Sequence, residues 1–158
     1  MKLTQKEADQ LINMLKQTVK NSRLNFPASK GKLSFDVVGE RKIDMFVINI
    51  DRKGINAQSC TYQGRIKSNN LILLRLDVNP TAIHINPSGE KITGTHLHIY
   101  NEQYELSKAI AFDIEDKDLY DNCYTFFEEF HIIKPPKIEY QSSTIDKGGF
   151  NEYTRNDK

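Results

Sequence analysis

The sequence predicts an α+β fold: an antiparallel sheet of about five or six strands, with an N-terminal and a C-terminal helix packed on one face. Three observations predict it. A capped apolar stripe at helical spacing opens the chain. Segments alternating apolar and polar residues follow one another through short turns from Leu33 to Val78. A second helical stripe then precedes Pro135-Pro136. At 158 residues and 18.3 kDa the chain has the size of one domain. That domain is assigned to residues 1–140, with a flexible polar tail over 141–158.

Thr4 and Glu7 form a capping box, in which each side chain satisfies an amide orphaned by the first helical turn. Ala8, Leu11, Ile12, Leu15 and Val19 recur behind it at helical spacing. Asn21 to Gly31, with Asn25-Phe26-Pro27 and Ser29-Lys30-Gly31, reads as a loop. Leu33, Phe35 and Val37 then alternate with polar partners, and Gly39-Glu40-Arg41-Lys42 turns the chain into Ile43–Asp51. Arg52-Lys53-Gly54 turns it again into a more polar strand, Ala57–Lys67, and Ser68-Asn69-Asn70 precedes Leu71–Val78, the most apolar strand. Connections this short predict an antiparallel meander. Asn79-Pro80 ends it, because proline cannot donate to a ladder. A polar loop with the turn sequence Asn86-Pro87-Ser88-Gly89 runs on to Gly94. Loops of that length inside small domains tend to carry function. Thr95–Tyr100 is the next strand. A helix over Asp116–His131 follows, with Asp116 or Asp118 as cap and Leu119, Cys123, Phe126, Phe127 and Phe130 as its apolar stripe. Pro135-Pro136 prevents its continuation.

Hydrophobic residues are 38% of the chain and mean hydropathy is −0.59, but eight Phe and seven Tyr exclude wholesale disorder. The 22 Lys+Arg and 21 Asp+Glu nearly cancel, which excludes a strongly basic binder of duplex DNA. The balance conceals an asymmetry. Residues 1–32 hold seven Lys+Arg against Glu7 and Asp9, whereas residues 101–130 hold Lys108 and Lys117 against nine acids. The opening MKLTQKEADQ has no apolar signal core, and the run Leu71–Leu74 falls far short of the roughly 20 residues that span a bilayer. These features predict a cytoplasmic protein with no membrane contact. Cys60 and Cys123 have no zinc or redox spacing and are expected to be reduced thiols.

His96-Leu97-His98-Ile99-Tyr100 is the segment with chemistry in it. On a strand, alternate residues share a face, so Leu97 and Ile99 are expected in the core and His96, His98 and Tyr100 on the other side. If Leu74, Leu76 and Val78 also face the core, Arg75 and Asp77 join the histidines across an antiparallel pair. His84, on the long loop, is placed to fold over the same spot. Titratable groups that converge on a rigid sheet are candidates for a site. Three readings fit. Two imidazoles near neutral pKa suit acid–base cleavage of RNA without a metal, with Arg75 on the phosphate. Alternatively, His96, His98 and Glu102 match the opening H-x-H-x₃-E of a cupin metal motif and would hold a divalent ion, although no second cupin motif is present. The third reading is a binding surface without chemistry.

Arg75-Leu76-Asp77, His84-x-Asn86-Pro87-x-Gly89 and Gly94-Thr95-His96-Leu97-His98-Ile99-Tyr100 together resemble the R-x-D…H-x-N-P-x-G…G-x-H-x-H-x-Y signature of a firmicute domain-of-unknown-function family. The likeness spans Leu71 to Phe112 and implies no known activity. At the Arg, Asp and His positions alone, the chain is similar to the R-Y-D-N…H…H-x-H pattern of TumE-like toxin–antitoxin components. It departs from that pattern in that Asn79 does not adjoin Asp77 and the further run of histidines is absent.

The leading expectation is therefore a small toxin–antitoxin or phage-conflict protein with metal-independent ribonuclease-type chemistry and no cofactor. His96 and His98 would be acid and base, Arg75 the phosphate binder and Asp77 the residue orienting a histidine. His84, Tyr100 and Tyr104 would contact substrate, the tyrosines by stacking on bases. RNA and a cognate antitoxin are the expected partners. The rival expectation, resting on the charge asymmetry, is a non-catalytic phage- or plasmid-encoded inhibitor, anti-CRISPR-like, that blocks a nucleic-acid-processing enzyme through its charged helices.

Overall fold

A computed structural model describes residues 2–20, 23–53, 58–115 and 117–140. The elements in chain order are α1 (Gln5–Asn13), β1 (Lys16–Thr18), β2 (Arg23–Phe26), β3 (Gly31–Val38), β4 (Met45–Arg52), β5 (Cys60–Ile66), β6 (Ile72–Val78), β7 (Ile83–Ile85), β8 (Lys91–Thr93), β9 (His96–Ile99), β10 (Ala109–Ala111), α2 (Asp121–Glu129), β11 (Ile132–Lys134) and β12 (Lys137–Tyr140). No described helix is long and apolar enough to cross a membrane.

The fold differs from the predicted α+β sheet of five or six antiparallel strands carrying two packed helices. The protein is mostly β, built on one eight-stranded sheet in the order β10-β9-β6-β5-β4-β3-β1-β11. That sheet is mixed, because β1 runs antiparallel to β3 but parallel to β11. A parallel pair β12-β2 and an antiparallel hairpin β7-β8 stand beside it. The two helices have only nine residues each. The strands that went unread have three or four residues, too few for a period of two to stand out from chance.

The helix ends show the same limit. Thr4 caps α1 with the expected capping box, but the helix stops at Asn13. Leu15 and Val19 continue its spacing by coincidence, since they are 53% and 48% exposed. Lys16, between them, is buried in β1, where its ammonium donates to the carbonyls of Ile12, Met14 and Phe130 at 2.8–3.0 Å. The same nitrogen sits 3.9 Å from the centre of the Phe130 ring. One of the basic residues counted toward a charged N-terminal surface is thus interior. At the other end, Asp118 accepts from the Asp121 amide in the first turn of α2, which begins five residues later than the spacing predicts. Asp116 and Ala57, the Gly54 turn and the tail from Gln141 lie outside the described residues.

β3, β4, β5 and β6 are successive antiparallel neighbours, and one side of them forms the core. Phe46, Ile48, Ile50, Tyr62, Leu74, Leu76 and Leu97 meet Phe126, Phe127 and Phe130 of the α2 region and Ala8 and Ile12 of α1 in a single cluster. The Phe130 ring lies directly on Gly64, where an added Cβ would come within 2.6 Å of it. Cys60 and Cys123 are free, buried thiols in this cluster.

The opposite side of the same strands is polar. Pairing places Ser34, Asn49, Gln63, Arg75 and His98 in one row across the sheet, and Lys32, Asp51, Thr61, Asp77 and His96 in the next. These rows floor a cleft of about 890 Å³, lined among others by Lys32, Lys53, Thr61, Gln63, Arg75, Asp77 and His96.

Candidate metal centre

Three imidazoles meet at the β9 end of the two polar rows. His96 and His98 project together because β9 is extended and they are two residues apart. Arg75 pairs directly with His98, and Asp77 with His96, in the β6–β9 ladder. On the far side, β10 presents Ala109 and Ala111 to the same two histidines. Those small side chains leave space above the sheet, and the β7–β8 hairpin fills it. In β7, Ile83 and Ile85 are 61% and 56% exposed, so His84 between them points inward. Its ring stacks on His96 at 5.4 Å and meets His98 edge-on at 4.9 Å.

The hydrogen bonds define which nitrogens are free. His96 Nδ1 lies 2.8 Å from the Gly94 carbonyl, and His98 Nδ1 lies 2.7 Å from the Leu106 carbonyl. His84 Nε2 lies 3.0 Å from both the Ser107 carbonyl and Asn86 Oδ1. Carbonyl oxygens only accept, so each of these ring nitrogens carries the proton. The other nitrogen of each ring then presents a lone pair. One ring nitrogen from each histidine lies within 4.8 Å of the others. His96 Nε2 and His98 Nε2 both lie 3.3 Å from Asp77 Oδ2. Two imidazole lone pairs and a carboxylate oxygen therefore face a shared space that calls for positive charge.

Arg75 supplies some of that charge. Its Nε and Nη2 donate to Asp77 at 3.1–3.3 Å, and its Nη2 approaches His98 Nε2 at 3.2 Å. Burial pushes the Asp77 carboxyl up, the cationic Arg75 guanidinium that donates to it pulls it down, and on balance the group lies below the usual carboxylate range. Asp77 is thus an anion at neutral pH. The spacing also fits a metal. Ligands about 2.0–2.1 Å from a tetrahedral zinc stand about 3.3–3.4 Å apart, the separation found between Asp77 Oδ2 and the two Nε2 atoms. Metal-bound histidines characteristically donate their second N–H to a carbonyl or carboxylate, which fixes tautomer and ring orientation. All three histidines here are held that way.

The surroundings explain the motif residues. Gly94 has a φ of +94°, a left-handed conformation that a glycine adopts without strain, and it turns its carbonyl toward His96. Asn86 is buried, accepting from the Ala109 amide at 2.8 Å and donating to its carbonyl at 2.9 Å. It docks the hairpin on β10 as a ladder residue would, while also accepting from His84.

Of the residues expected at the site, His84, His96, His98, Arg75 and Asp77 are brought together. Tyr100, Tyr104 and Glu102 are not. Tyr100 is buried in the core, its hydroxyl accepting from the Leu3 amide and donating to the Leu3 carbonyl. Tyr104 lies on the turn after β9 whose carbonyls at Leu106 and Ser107 hold two of the histidines. Glu102, the supposed metal ligand, accepts from the Gln5 amide at the start of α1. β9 ends at Ile99, and the Asn101–Glu105 bridge turns the chain away from the polar rows. Sequence reasoning passed over Asn86 and the three carbonyl acceptors. The Asn86-Pro87-x-Gly89 turn was the one signal for the former, and backbone acceptors leave no mark in a sequence.

Fold and centre together define a mostly β protein with a polar sheet face that ends in a three-histidine cluster able to hold a metal ion. The chain belongs to a family of unknown function, DUF6978, whose model matches residues 3–132. No curated protein and no solved structure matches it.

Proposed function

We propose that the protein binds one divalent transition-metal ion through His84, His96 and His98, with Asp77 beside them, and uses it hydrolytically on a phosphodiester, RNA first among substrates to test. The observation that carries this is the convergence of three imidazoles beside the cleft, with one ring nitrogen of each within 4.8 Å of the others and each ring held by a carbonyl at one nitrogen. A bound divalent ion lowers the pKa of a coordinated water toward neutrality. Held by His84, His96 and His98, such an ion would supply an activated water for hydrolysis of the phosphodiester, with Arg75 placed to meet the phosphate charge.

The metal-independent alternative has less support from the geometry. An acid and a base on one phosphate need to flank it, whereas both Nε2 atoms here converge on one carboxylate oxygen from side chains only 6% and 3% exposed. The toxin–antitoxin setting rests on the resemblance at Arg75, Asp77 and the histidines. The assay is cleavage of a labelled RNA by zinc-loaded, chelator-treated and His96→Ala/His98→Ala protein. Cleavage confined to the loaded wild type is expected. Cleavage that persists in chelator and in the double variant would remove the metal from the mechanism. Zinc bound without cleavage would remove RNA and leave the centre standing.

A further inference from the structure

The contact between Arg75 and His98 has a consequence for how the centre works. A guanidinium has donors only, so the 3.2 Å approach of Arg75 Nη2 makes His98 Nε2 its acceptor. That lone pair is the one a metal would take. The Arg75–His98 bond and metal ligation by His98 are therefore mutually exclusive. Arg75 also holds Asp77 Oδ2, the oxygen at ligand distance from both Nε2 atoms. Arg75 thus stands where it can take the electrostatic place of an ion.

We propose that Arg75 is an internal counter-cation that a metal displaces into the cleft, where its freed donors bind a tetrahedral oxyanion next to the ion. This rests on the metal centre proposed above and adds its regulation: metal and oxyanion bind together or weakly. The Arg75 side chain is 31% exposed and lines the cleft, so it has somewhere to go. Across the β5–β6 ladder it faces Gln63, and Thr61 sits opposite Asp77. The Gln63 amide and Thr61 hydroxyl stand on the strand about 4.8 Å away, ready to donate to an anion beside Arg75. Gln63 Nε2 has only a 3.5 Å contact with Asn49 to give up. Lys32, with no ion-pair partner among the described residues, lines the same cleft and adds attraction for an anion.

Linkage makes the proposal measurable, since an anion that favours the metal-bound state must tighten metal binding by the factor by which the metal tightens anion binding. The experiment titrates the wild-type chain and Arg75→Gln with Zn²⁺ against a chromophoric chelator, in sulfate, acetate or chloride at equal ionic strength. Sulfate is expected to tighten zinc binding to the wild type about tenfold over chloride, and acetate to leave it unchanged. Arg75→Gln is expected to bind zinc more tightly than the wild type in chloride, because the competing cation is gone, and to show no response to sulfate. The wild-type comparison needs no variant to fold. Equal zinc affinity in sulfate and chloride would overturn the proposal, as would a full sulfate effect in Arg75→Gln. An acetate effect matching sulfate would overturn the tetrahedral class of anion. Absence of zinc binding to the wild type in every buffer is a separate outcome, and would overturn the metal centre itself.

Discussion

Asn86 connects the hairpin, the edge strand and a histidine through one side chain, so its loss should be felt twice. Asn86→Ala leaves the Ala109 amide and carbonyl without their partner and takes one acceptor from His84 Nε2. A buried, unsatisfied backbone pair costs about 1–3 kcal/mol, which a denaturant melt of the metal-free protein would report. Freeing a ligand histidine from an orienting partner costs about 10–100-fold in metal affinity, which a zinc titration would report separately. At this scale much of the site was legible. A period of two on a strand places His96 with His98 and Arg75 with Asp77, and antiparallel pairing joins the couples. Tyr100 was misplaced because the same alternation was carried past Ile99, where the strand ends, and Glu102 because the H-x-H-x₃-E spacing does not show the turn that follows. Asn86 could not be weighed, because its partner Ala109 is 23 residues away and presents only backbone atoms.

At the scale of elements, Lys16 ties the end of α1 to the end of α2 through carbonyls of Ile12, Met14 and Phe130. Burial pushes its ammonium down from the ordinary 10.5 to about 7. The unfolded chain keeps this proton over a pH range where the folded chain sheds it. Stability should therefore rise with pH from about 7 to about 8.5, and Lys16→Met should lose that rise when unfolding free energies are compared across buffers. Above that range the sign turns, because burial pushes the thiol of Cys60 up to about 12 and raises that of Cys123 as well. The unfolded thiols then ionise first. Gly64→Ala tests a neighbouring contact. Its methyl group would press on the Phe130 ring and should lower stability by about 1–3 kcal/mol in thermal melts. The longer strands β3 to β6 were visible in the sequence because seven or eight residues display alternation. β1, β10 and β11, with three residues each, owe their strand geometry to the neighbours they pair with.

For the molecule as a whole, one sheet separates two environments. Its apolar side is sealed by both helices, while its polar side is a cleft that ends at the histidines. An ion held only by the folded arrangement adds stability by mass action, about 2.7 kcal/mol at 100 times its Kd. Zinc should raise the melting temperature of the wild type and leave that of a His84→Ala/His96→Ala/His98→Ala variant unchanged. The most direct test of the account is X-ray absorption at the zinc edge on stoichiometrically loaded protein. The predicted result is one ion per chain with three imidazole nitrogens and an oxygen shell at about 2.0–2.1 Å. Sulfur near about 2.3 Å, as the thiols of Cys60 or Cys123 would give, or a shell with fewer than two imidazoles, would contradict it.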